Sequence, residues 1–228
     1  MRLILACFFF LFSLGANADS KIPNMVVLEF KIITSGILVG KSEEIFQRHG
    51  AHYEVISTTK PRGIASLFLK NIHRRSQGTI TNRGLIPDLY EEKGRGNGKS
   101  IAKFDWAENQ VYLKTVREDK VVDLSPGAID QTSFLFSFMV KPPKQSFEVQ
   151  ITDGRRIKNY TYEIVGTNVL KSPKGPLDVL ILRKLTKDKT RQFEFWLAKN
   201  LYYLPVKIKY TDKKKRVFES ALSNIIID

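Results

Sequence analysis

Two serine-lysine pairs raise the first chemical question. Ser57-Thr58-Thr59-Lys60 and Ser100-Ile101-Ala102-Lys103 both show the Ser-x-x-Lys spacing of acyl-enzyme chemistry. That chemistry holds serine and lysine one helical turn apart. Lys60 precedes Pro61, which disfavours helix, and Ser100 opens a strand-like run in which it and Lys103 take opposite faces. Neither K-T-G nor S-D-N completes the set, and no G-x-S-x-G elbow supplies another serine nucleophile. "KGRGNGKSIAKFDW" nearly spells a phosphate loop, but Lys93 stands where the first glycine belongs, and strand-like residues follow Ser100 where the phosphate-cradling helix should begin. This segment is expected to be a hairpin tip. Of the three histidines, His49 and His52 flank Gly50-Ala51 at an expected turn, and they and His73 make too sparse a set for a metal. No catalytic residue, cofactor or metal site follows from these patterns, and the expectation is a protein that is not an enzyme.

Charge is the stronger signal. The chain carries a formal +14, and its cations gather in short runs that contain Arg74-Arg75, Arg155-Arg156 and Lys213-Lys214-Lys215. Those seven residues are the candidate contacts for an anionic partner. The N-terminus narrows the partner. Arg2, the uncharged apolar run from Leu3 to Leu14, and the small-x-small Ala16-Asn17-Ala18 make a secretory signal. The run is too short for a membrane span, which takes about 20 residues. Cleavage after Ala18 and a periplasmic location are expected. Cys7, the only cysteine, lies early in the apolar core, not just after it, so it leaves with the signal and lipid attachment is not expected. Loss of Arg2 lowers the charge by only one. An exported cation of this size is expected to meet an anionic membrane surface, an acidic glycan or an acidic protein, and nucleic acid is not expected to be its partner.

The elements that would carry these residues read mostly as strands. "VLEFKI" and "YTYEIVG" alternate apolar and polar residues with a period of two, and "YEVISTT" from Tyr53 faintly echoes "YEIVGTN" from Tyr162. At the C-terminus Phe193, Phe195 and Leu197 share one strand face. Val206, Ile208 and Tyr210 share the next, and Phe218 and Leu222 continue a third strand beyond the cationic Asp212-to-Lys215 turn. Pro205 is expected at an edge or at the start of its strand. Two segments break the pattern. "GIASLFLKN" reads as a short helix. "DQTSFLFSFMV" reads as a better one, with Asp130 as N-cap, Phe134, Leu135, Phe138 and Met139 at helical spacing, and Lys141-Pro142-Pro143 as its stop. Trp106, Phe134, Phe138 and Trp196 are the candidate core or cavity-lining aromatics.

Six segments in order, "YEVISTTKPRGIASLFL", "SQGTITNRGLIPDLYEE", "FDWAENQVYL", "LSPGAIDQTSFLFSF", "ITDGRRIKNYTYEIVG" and "FWLAKNLYYLPVKIKYTDKKKRVFESALSNI", resemble the domain-of-unknown-function 3108 family of exported bacterial proteins. The resemblance spans almost the whole chain after Ala18 and implies no reaction. The last meander, with Trp196, Leu204-Pro205 and Asp212, is also similar to that of the periplasmic lipoprotein carriers, which curl an antiparallel sheet around acyl chains. About 210 residues after Ala18, with no visible linker, fit one domain over 19–228. The expected fold is all-β with minor α, an antiparallel curled sheet or barrel with one or two short helices and the Asp130 helix against its opening. Two functions fit this fold. One is non-enzymatic binding of an apolar or amphipathic cell-envelope molecule. The alternative is an envelope interaction or assembly factor with a filled core that recognises an acidic glycan or protein through its basic surface.

Overall fold

The computed structural model describes residues 22–95, 98–172, 175–186, 188 and 190–228. The expected signal sequence, its cleavage point and Cys7 lie outside the described residues. The first half of the chain forms β1 (Met25–Thr34), β2 (Ile37–His49), β3 (His52–Pro61), a one-turn helix α1 (Ala65–Phe68), β4 (Ile72–Thr81), β5 (Gly84–Lys93), β6 (Lys99–Asp105), β7 (Gln110–Lys114) and β8 (Asp119–Asp123). The second half forms β9 (Ile129–Asp130), α2 (Gln131–Val140), β10 (Phe147–Thr152), β11 (Ile157–Ser172) and β12 (Gly175–Leu185). It ends in β13 (Gln192–Ala198), β14 (Leu204–Thr211) and β15 (Val217–Ile227).

Among the described residues all the strands join one 15-stranded sheet in the order β8-β7-β6-β5-β4-β3-β2-β1-β15-β14-β13-β12-β11-β10-β9. β1–β8 and β10–β15 are antiparallel meanders, β9 adds parallel to β10 across the α2 crossover, and the two halves meet where β1 pairs antiparallel with β15, Thr34 opposite Phe218. The two-residue period explains the burial. On β1, Val26, Leu28 and Phe30 turn to the core, and on β12 so do Leu180 and Leu182. Pro205 is the second residue of β14, beside the irregularity at Trp196/Leu197, and the ladder to β15 starts only at Lys207. The β15 edge therefore needs no N–H from it, and on the other side it stands opposite Leu197.

Helix α2 lies in the lumen and fills part of it. It touches β3, β4 and β5 on one side and β10 and β14 on the other. A helix enclosed by a sheet must be apolar all round, and Phe134, Phe136, Phe138 and Met139 are all buried. Tyr53 of β3 and Tyr162 of β11, the two residues of the faint sequence echo, face it from different sides. Phe134 lies 5.0 Å from the Tyr162 ring, and the Tyr53 hydroxyl lies 2.9 Å from Ser133 Oγ. Asp130 caps the helix as its sequence position predicts, accepting from the N–H groups of Thr132 and Ser133 at 2.8 and 2.9 Å.

The choice between curled sheet and barrel resolves as a curled sheet without closure. Its edge strands β8 and β9 are not hydrogen-bonded to each other. The reason is that the two ends overlap face on edge. Strands β6 and β7 carry their own apolar cluster of Phe104, Val111 and Leu113, which packs on Leu124, Ala128 and Ile157 instead of offering an edge. Side chains fasten the overlap: Ser125 N–H donates to Gln150 Oε1 at 2.9 Å, and Gln150 Nε2 donates to the Asp123 carbonyl at 3.3 Å. At the β10–β11 turn Gly154 has φ +79, and a Cβ there would stand 2.9 Å from Ser100 Oγ and 3.0 Å from the Tyr90 ring. Only glycine lets the turn approach β5 and β6 this closely.

Candidate functional site

A cavity of about 410 Å³ lies inside the curl, between the first turn of α2 and the end of the sheet marked by Thr34. Its floor is Gln131, Thr132 and Leu135. One wall is apolar and aromatic, with Phe30, Ile32, Phe134, Phe193, Phe195 and Ile208. The other is polar, with Ser42, Glu44, Ser57, Thr59 and Arg74, and the cations Arg156 and Lys184 complete the rim. The volume falls within the range of about 300–1,000 Å³ typical of small-molecule sites.

Strand parity places the charged groups. Glu44 shares its face with Phe46 and is 6% exposed, and Lys184 continues the inward row of Leu180 and Leu182. Burial pushes the Glu44 carboxyl up to about 7, against the lowering pull of Ser57, Arg74 and Ser42. Burial also pulls the Lys184 amine down to about 8, helped by Lys158 and Arg156. Its Nζ stands 3.4 Å from the centre of the Tyr160 ring, and among the described residues no carboxylate reaches it. Behind the lining surface Glu44 Oε2 and Thr132 Oγ1 are sealed from solvent and, among the described residues, have no hydrogen-bond partner. Such atoms cost free energy unless something polar meets them.

The Glu44 shift has a stability consequence. Between pH 4.5, its ordinary value, and pH 7, the folded chain keeps a proton that the unfolded chain releases. Stability therefore falls as pH rises through this interval and levels off above it. Glu44→Gln is expected to remove that slope. In urea titrations the variant should match the parent near pH 4 and exceed it by about 3 kcal/mol at pH 8.

The second charged centre is Glu92 on β5, whose side chain is 0% exposed. Arg74 Nε of β4 donates to its Oε2 at 2.8 Å, and Arg155 of the β10–β11 turn donates to Oε1. Arg95 Nε stands 3.5 Å from Oε1, and Gln131 Nε2 of α2 donates to Oε2 at 3.3 Å. Desolvation alone would raise this carboxyl, but Arg155, Arg74 and Arg95 together hold it below the usual range. Glu92 thus ties the first half of the sheet, the second half and the plug helix together near the cavity rim.

The residues singled out from sequence fall in different places. Phe134 lines the cavity, whereas Phe138 packs deeper, 5.1 Å from Phe134 and 6.2 Å from Phe147. Trp106 lies away from the cavity, against Phe104, and its Nε1–H donates to the Pro87 carbonyl at 2.8 Å. Trp196 belongs to a separate small cluster with Val179 and Val206, and Lys207 Nζ lies 4.9 Å from its ring. Arg74 and Arg155 converge on Glu92, Arg75 pairs with Glu54, and Arg156 lies on the cavity rim 3.8 Å from Asp153. Lys213, Lys214 and Lys215 project from the β14–β15 turn, Lys213 reaching Asp188 at 3.6 Å. Ser57 and Lys60 sit on opposite faces of β3, as do Ser100 and Lys103 on β6, one member of each pair buried and the other exposed. Sequence reasoning missed Glu44, Glu92 and Lys184. Each shares the parity of buried apolar neighbours, and that was the available signal.

A sheet curled about an internal helix, with a half-open cavity that is aromatic on one wall and cationic at its rim, makes this a β-sheet cavity protein. The chain belongs to the family described as Protein of unknown function (DUF3108), whose model matches residues 29–216. That family carries no reaction with it. No curated protein matches the chain. Among solved structures, a protein described as a lipoprotein from Parabacteroides distasonis is 10% identical with a TM-score of 0.41, covering 90% of this chain and 96% of its own. A protein described as exported, with a YmcC-like fold, from Bacteroides fragilis is 12% identical with a TM-score of 0.36, covering 88% of this chain and 95% of its own. No described helix is long and apolar enough to cross a membrane.

Proposed function

We propose that the protein is an exported, non-enzymatic binding protein that shelters the apolar part of an anionic amphiphile in this cavity. One observation carries the reading: an aromatic wall faces Lys184, a half-buried cation with no carboxylate in reach among the described residues, across about 410 Å³ of space. An acyl or aromatic tail would lie on Phe30, Phe193, Phe195 and Ile208. A phosphate, sulfate or carboxylate head would meet Lys184 and Arg156. Binding sites of this kind are mostly apolar with a few placed polar groups. The open volume weighs against the alternative in which a filled core leaves only the outer surface to act. Protein released gently from the periplasm and sprayed from volatile buffer under native conditions should carry adducts of amphiphile mass. Protein that is empty in every preparation would count against the reading.

A further inference from the structure

The end of the sheet that holds the cavity mouth also carries an exposed apolar cluster that the cavity reading does not use. In the β3–β4 loop Ile64 and Leu67 are 77% exposed, Phe68 80% and Leu69 62%. Helix α1 buries none of its residues. The β1–β2 tip stands beside this loop, since Arg62 N–H donates to the Val39 carbonyl at 2.9 Å, and it adds Ile37 at 65% exposed. Single exposed apolar residues are ordinary, but a cluster of them marks a contact surface.

Charge decides which contact. No Asp or Glu occurs from Val55 through Pro87, while Lys60, Arg62 and Lys70 bracket the apolar loop. The antiparallel pairing of Thr34 with Phe218 brings the β14–β15 turn, with Lys213, Lys214 and Lys215, to this same end. Ile32 and Thr59, which line the cavity, lie two residues from the strand ends Thr34 and Pro61 that lead into these tips. The arrangement is a protruding greasy tip flanked by Lys60, Arg62 and Lys70, with no carboxylate on the tip itself to match basic groups of a protein, and with further lysines at the same end, of which Lys213 faces Asp188. Apolar side chains that enter acyl chains while lysine and arginine stay at the phosphates are what an anionic bilayer selects.

We propose that this end of the sheet docks on an anionic phospholipid leaflet, with Leu67 and Phe68 entering the acyl region and the flanking cations resting on the phosphates. Docked this way, the cavity mouth faces the bilayer. The docking does not depend on what the cavity holds.

The test is co-sedimentation of the purified protein with vesicles of phosphatidylglycerol mixed with phosphatidylcholine. Wild-type protein should bind them, release at high salt, and ignore pure phosphatidylcholine. The double variant Leu67→Glu, Phe68→Glu alters only exposed side chains, so it should keep its thermal transition while its partition falls by about tenfold or more. The cavity-filling variant Leu135→Trp should bind vesicles as wild type does, which separates failure of this proposal from failure of the cavity reading. Unchanged partition of the double variant would overturn the proposal. So would wild-type protein that ignores anionic vesicles and instead self-associates through the same two residues, which would assign the tip to a protein contact.

Discussion

Glu92→Ala is expected to lower the stability of the folded chain by about 3–5 kcal/mol at pH 7, the cost of leaving buried cations without their counter-charge. The side chain is fully enclosed, and Arg74, Arg155 and Arg95 all point at it. Removal leaves Arg74, 15% exposed, without its ion-pair partner and with only the half-titrated Glu44 acting on it. It also releases the β10–β11 turn from β5. Glu92→Gln keeps the shape and one acceptor, so it should cost less. The pH dependence gives a second handle. Because the folded carboxyl is held below its ordinary value of 4.5, its contribution is present above that value and is lost as pH falls through the lower, folded one. Urea midpoints for parent and variant should therefore be far apart at neutral pH and converge in acid. A gap that stays constant down to the acid limit would mean that packing, not charge, ties the seam.

Asp130→Ala is expected to cost about 2–4 kcal/mol, because it removes a helix cap and breaks a buried chain of hydroxyls at once. The chain has a fixed direction. Ser76 Oγ–H donates to Asp130 Oδ2 at 2.6 Å, so the single hydroxyl proton of Ser133 must serve Ser76, 2.6 Å away, and Tyr53 must donate to Ser133. Every donor is then used once, and the carboxylate is the final acceptor. Alanine leaves the Ser76 proton and two backbone N–H groups of α2 without acceptors. Asp130→Asn keeps the cap oxygen but presents N–H to Ser76, which reverses the chain and strands the Tyr53 proton, so its loss should be smaller than that of alanine. Thermal unfolding of both variants checks the order. Equal losses would show that the cap alone matters.

The legible parts of this molecule were the local ones. Asp130 could be named as a cap because Asp before an apolar helical run has one obvious use, and the helix ended where Lys141-Pro142-Pro143 said it would. The C-terminal strands followed from the period of Phe193, Phe195 and Leu197. What the sequence hid was convergence. Glu92 and Arg155 are 63 positions apart, and nothing local says that a turn after β10 will land on β5. Arg74 and Arg155 therefore looked like two surface cations in separate runs. Failure of the barrel to close was equally invisible, since it depends on the β6–β7 face packing on Leu124 and Ala128 while β9 takes the other edge. Glu44 and Lys184 were a nearer miss: their parity pointed inward, but the space that makes them functional candidates depends on how far α2 fills the lumen.

The most direct measurement is an equilibrium titration of the delipidated protein with an alkyl phosphate and with the uncharged alcohol of the same chain length, followed calorimetrically for wild type and Leu135→Trp. The cavity account predicts that wild type binds the phosphate more tightly than the alcohol. It further predicts that the preference fades as pH rises through about 7 to 8, where Glu44 ionises and Lys184 loses its proton, and that the tryptophan, set into the cavity floor, abolishes binding of both. Equal affinity for the two ligands, or full binding by Leu135→Trp, would contradict it.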